Sequence, residues 1–168
     1  MYLDLQSWLG VISTAAIVLA LIFTGVQVRE ANRARMDQAA VTLLQSTQGD
    51  TWTRAMHTLG QLPTGTSAEQ LEAAGQRAVD AAVDFGVRLE TIGYMVFSRM
   101  IPLEKVDDLI GGVILMFWSR ASAWVFRERT RTGNPRLLEW CEWLADRVNE
   151  RRVTLGHEPA HEKYRGWR

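Results

Sequence analysis

From Leu5 to Val28 the chain carries no charged side chain, and most of that stretch is Leu, Ile, Val, Ala, Phe and Trp. About 20 apolar residues in a helix suffice to cross the hydrocarbon core of a bilayer, so the segment predicts a transmembrane anchor. A secretory signal peptide has a basic start, a shorter apolar core and a small-residue cleavage site. The start here is Met1-Tyr2-Leu3-Asp4, with no basic side chain, and the apolar stretch is longer. Arg29, Arg33 and Arg35 flank one end and Asp4 the other. The positive-inside rule then predicts a single-pass protein of the bacterial inner (cytoplasmic) membrane, with its N-terminus outside and its C-terminal domain cytoplasmic. Trp8 and the three arginines mark the interfaces, the arginines meeting anionic lipid headgroups.

Within the span, Ala16, Ala20 and Thr24 recur at four-residue spacing, with Gly10 and Thr14 extending the seam. Small side chains let helix backbones approach closely in lipid, so these three are the expected packing face against another membrane helix. No His, Asp, Glu, Lys or Arg lies in the span, which leaves no candidate there for a proton relay, an ion path or an axial ligand.

The remainder is one domain's worth of chain. Its fold class reads as all-α: an anchor over residues 1–28, a juxtamembrane helical region over 29–62, a cytoplasmic helical bundle over 63–150 and a basic aromatic tail over 151–168. Gly and Pro are absent from Val26 to Gln48, so the span is expected to run on as helix toward Leu44. A helix with Trp52, Met56 and Leu59, with Asp50 as its expected cap and an end near Gly60, follows. Residues 62–67 form a turn-rich loop. Capping-box spacing at Ser67/Gln70 or Thr66/Glu69 starts a helix expected to reach Ile101. Pro102 opens another, residues 127–134 read as a basic connector, and Pro135 opens a last helix striped with Leu137, Cys141, Leu144 and Val148.

Lys plus Arg equals Asp plus Glu at 19 each, so no field points toward nucleic acid. The sole cysteine, Cys141, excludes an internal disulfide. Seven tryptophans, six of them after the span, are divided between core and interface duty.

The stretch from Phe85 to Leu144 has a recognisable pattern. Leu89-Glu90-Thr91-Ile92-Gly93-Tyr94 is followed by Ile101-Pro102, the Trp118 helix, an Arg-rich connector, Gly133-Asn134-Pro135, Glu139-Trp140 and Trp143-Leu144. It resembles a family of uncharacterised bacterial proteins of the DUF4760 type. The resemblance implies an N-terminal membrane helix and a helical cytoplasmic part, and it implies no activity.

Chemistry-bearing groups are sparse. His157-Glu158-Pro159-Ala160-His161 has the letters of the zinc-protease pattern, which needs two His at i and i+4 of one helix. Pro159 inside it and Gly156 before it oppose that helix, so the tail reads as extended and polar, with no metal expected. Residues 60–67 lack the lysine of a phosphate loop. Asp80 and Asp84 read as solvated or salt-bridged carboxylates. Glu90, amid Leu89, Ile92 and Gly93, reads as a structural, partly buried carboxylate paired with an arginine. Cys141 sits on the apolar stripe and reads as core. Tyr164, Arg165, Trp167 and Arg168 mix aromatic and cationic character, as interfacial contacts do.

With no nucleophile–base constellation and no cofactor loop, neither an enzyme nor a cofactor is expected. The reading is a non-catalytic, single-pass accessory or assembly subunit that stabilises a larger inner-membrane complex. A bioenergetic host, photosynthetic or respiratory, fits. Its partners would be other membrane subunits and anionic lipid. The alternative is a homo-oligomeric, membrane-tethered regulatory or sensor protein.

Overall fold

Every described element of the chain is a helix, in keeping with the long Gly- and Pro-free stretches. The computed structural model describes residues 5–46, 49–156 and 159–167. Two compact units divide it, residues 1–39 and 40–168. The first helix, α1, is Leu5–Ser46, unbroken. Its window Ser13–Ala31 is long and apolar enough to cross a membrane, and none of that window is buried by protein. Leu19, Leu21, Ile22 and Phe23 are all exposed, the reverse of what a water-facing helix normally presents.

The second unit is a bundle of α2 (Asp50–Gly60), α3 (Ala68–Ala73), α4 (Gln76–Phe97), α5 (Leu103–Thr132), α6 (Glu139–Leu155) and the short α7 (Ala160–Lys163). α4 packs against α2, α5 and α6, and α5 also packs against α3 and α6. In α2, Trp52, Ala55 and Leu59 are buried at helical spacing. Trp52 stacks on Phe85 of α4 at 4.1 Å between ring centroids, and Phe85 stacks on Phe117 of α5 at 5.5 Å. This three-ring column joins three helices through the centre of the core. Although α5 is itself long and apolar enough to span a membrane, Val106, Ile110, Ile114, Phe117, Ala121 and Val125 along it are buried in the bundle.

The loop before α3 is tied down by α5. Arg120 Nε donates to the Leu62 carbonyl at 2.7 Å, and the Gly65 N–H donates to the Ser119 carbonyl at 2.7 Å. The capping box forms at Ser67/Gln70: the Gln70 N–H donates to Ser67 Oγ at 3.2 Å and the Ser67 N–H to Gln70 Oε1 at 2.9 Å.

Four boundaries depart from the sequence expectation. The helix expected from Ser67 to Ile101 is two, because Gly75 adopts φ +96° and turns the chain between α3 and α4. Residues 127–132, expected as connector, continue α5. Arg127 pairs with Glu69 and Glu72, Arg129 with Glu142 and Arg131 with Glu128, and helix-terminal cations also suit the macrodipole. Gly133 in the left-handed region then ends the helix. The last helix begins at Glu139 rather than Pro135, because Leu138 at φ 55° sets the start. Asp50, expected as a cap, lies in the first turn of α2, with Gly49 at the cap position.

Candidate functional site

The start of α6 has an unusual construction. Its cap residue is Leu138, left-handed and without a side chain able to accept a hydrogen bond. The acceptor comes instead from α4: the Cys141 N–H donates to Glu90 Oε2 at 2.8 Å, with the Trp140 N–H contributing as a second donor. Glu90 therefore caps a neighbouring helix across 51 residues of sequence. Burial pushes its carboxyl above the ordinary carboxylate range, the two N–H donors oppose that, and Glu139 and Arg129 act more weakly in opposite directions. The arginine partner expected for Glu90 is a minor influence. Arg129 itself donates to the Leu137 carbonyl at 2.8 Å and to Glu142 at 2.6 Å, clamping the turn from the other side.

Two glycines of α4 make this junction close. A Cβ on Gly86 would stand 2.5 Å from Leu138 Cδ1, and one on Gly93 would stand 2.2 Å from the Trp140 carbonyl oxygen. Gly86, Glu90 and Gly93 share one face of α4 at helical spacing. Just beyond them, Phe97 lies 4.4 Å from Trp140 and 5.8 Å from Trp143, and Tyr94 lies 5.8 Å from Trp140. These four rings form an aromatic edge along the α4–α6 seam. Tyr94 and Phe97 are each about half exposed, at 52% and 53%, as is the nearby Met100. Trp140 and Trp143 are partly covered. Charged neighbours are already paired within the chain: Arg136 with Glu139, Arg147 with Glu150 and Arg88 with Asp84.

Ala16, Ala20 and Thr24 are exposed along α1. The Thr24 hydroxyl donates to the Ala20 carbonyl at 2.8 Å and that of Thr14 to the Gly10 carbonyl at 2.9 Å, so both are satisfied within the helix. Trp8 and Arg29 are exposed. The side chains of Arg33 and Arg35 lie outside the described residues, as do His157, Glu158 and Arg168. In the tail, Tyr164, Arg165 and Trp167 are exposed, and Tyr164 meets Trp167 edge-on at 6.4 Å. Among the described residues, no group of three or more His, Cys, Asp or Glu is placed to hold a metal. The Cys141 thiol is buried and pushed far up by desolvation and by Glu90, which makes it a poor nucleophile.

Residue-by-residue reading missed the aromatic edge. Tyr94/Phe97 and Trp140/Trp143 each show i, i+3 spacing, a usable signal; that the two pairs face one another depends on how α4 and α6 pack.

One long uncovered apolar helix followed by a packed helical bundle defines the class: a bundle protein with an N-terminal helix able to span a membrane. The chain belongs to the family described as Domain of unknown function (DUF4760), whose family model matches residues 11–148, from within the apolar helix to the end of the α6 core stripe. Neither the curated proteins nor the solved structures yield a match.

Proposed function

We propose that this protein is a non-catalytic, single-pass accessory or assembly subunit of a larger bacterial inner-membrane complex. In this reading α1 is the anchor and the bundle lies on the cytoplasmic side, as the arginine flank calls for. The observation that carries it is the apolar surface left exposed among the described residues: the whole Ser13–Ala31 window of α1 and the half-exposed Tyr94 and Phe97 rings of α4. The first suits lipid and other membrane helices. The second suits a protein partner, since aromatic side chains with satisfied charged neighbours are typical of interface centres. A bioenergetic host, photosynthetic or respiratory, fits this role.

One observation favours a second reading, a homo-oligomeric sensor or regulator. α1 runs unbroken from Leu5 to Ser46, and a continuous helix can transmit a displacement from a span to a domain.

Purification from the native membrane in mild detergent, with mass spectrometry of what accompanies the chain, separates the two. A fixed set of other membrane subunits supports the accessory role; recovery of this chain alone, as a defined oligomer, replaces it with the sensor reading. Ala16→Leu with Ala20→Leu should release the partners while membrane insertion persists. Unchanged co-purification would remove the small-residue seam from the contact.

A further inference from the structure

At the C-terminal end of α6, α5, α6 and the α7 segment line an open cavity of about 660 Å³ whose walls carry three cations, Arg151, Arg152 and Lys163, and the phenol Tyr164. At its base Asp107, only 8% exposed, accepts from Arg152 Nε at 2.8 Å and from Arg151 Nε at 3.2 Å. One carboxylate thus orients two guanidiniums through their Nε atoms. The Nη groups of Arg152 have no acceptor among the described residues, and those of Arg151 have only Glu104 at 3.9 Å. The floor is shaped for this arrangement. A Cβ on Gly111 would stand 2.1 Å from Asp107 Oδ1 and 2.6 Å from Arg152 Nη2, so only glycine leaves room for the pair against α5. Lys163 Nζ sits over the Tyr164 ring at 5.2 Å and has no carboxylate partner among the described residues.

Among the described lining residues, three cations face two carboxylates, Asp107 and the exposed Asp108. Forked guanidinium donors, with the Nη groups of Arg152 left without an acceptor among the described residues, plus a point cation, match the oxygens of a phosphate ester better than any neutral ligand. We propose that this cavity binds a phosphate ester. Arg152 and Lys163 are its principal ligands, and Asp107 with Gly111 is the support that positions Arg152. The same phosphoryl chemistry is carried by a free phosphorylated metabolite and by an anionic lipid headgroup.

The test is calorimetric titration of the full chain in an uncharged maltoside detergent. Glycerol 1-phosphate serves as the soluble probe, dihexanoyl-phosphatidylglycerol as the lipid probe and dihexanoylglycerol as the phosphate-free control. Saturable binding of glycerol 1-phosphate identifies the soluble source. Saturation by the phospholipid alone identifies the headgroup. In either case Arg152→Gln and Lys163→Gln should each weaken binding by about tenfold or more, the loss of one charge-assisted contact. Lys163 is exposed and supports no core packing, so its variant decides the matter should Arg152→Gln unfold. Three results would overturn the proposal: no saturable binding by either phosphate probe, equal binding of the phosphate-free control, or affinity that Lys163→Gln leaves unchanged.

Discussion

At the scale of single residues, the bundle turns on a carboxylate used as a cap for a helix that is not its own. Leu138 offers no acceptor at the start of α6, so Glu90 supplies one from α4. The sign of its pH dependence follows from burial. With its pKa raised in the fold, Glu90 holds its proton more tightly folded than unfolded. Its contribution to stability is therefore fully present below the unfolded value and is lost as pH rises through the raised folded value. Glu90→Gln keeps an oxygen for the Cys141 N–H and removes the charge. It should match the native protein at pH 4 and exceed it in urea midpoint at pH 7.5. Glu90→Ala removes the acceptor and should be less stable than Glu90→Gln at both pH values by about 0.5–2 kcal/mol, the range for a lost N-cap. Equal midpoints for the Gln and Ala variants would show that the cap contributes nothing.

Between elements, the decisive contact is the approach of α4 to the start of α6. Gly93 lets the Trp140 backbone rest directly on α4, and Gly86 admits Leu138. Gly93→Ala places a methyl group against backbone that cannot rotate away, so α6 must shift as a unit. A loss of about 3 kcal/mol is expected, at the upper end for overpacking, together with altered tryptophan fluorescence as the aromatic edge opens. Gly112 is the control on α5, since a Cβ there meets nothing within 4 Å. Gly112→Ala should be neutral or stabilising by up to about 1 kcal/mol. Both variants are compared by chemical denaturation. Indistinguishable effects would mean that close packing at Gly93 is not what holds the seam.

For the whole molecule, the buried side chains among the described residues run from Trp52 to Val148. Residues 40–168 form a compact unit of their own. A chain beginning at Ala40 should remain helical by circular dichroism and melt cooperatively in calorimetry. It should also lose the membrane association that α1 is proposed to provide. A broad, non-cooperative transition would show that the first unit is needed for the bundle to fold.

What the linear pattern alone determined was the apolar helix, whose uncharged run sets its character locally, the all-helical class, the glycine-proline loop and the Ser67/Gln70 capping box. Each rests on residues a few positions apart, where hydropathy, propensity and capping act within one turn or one segment. The tertiary structure decided the rest. Gly75 reads as tolerable in a helix until its positive φ separates α3 from α4, and Arg127 to Thr132 read as connector until acids on α3, α5 and α6 meet the arginines. Glu90 capping α6, the aromatic edge and the Asp107–Arg152 cavity each join groups tens of residues apart. Their energies depend on distance in space and on burial, which no local pattern encodes.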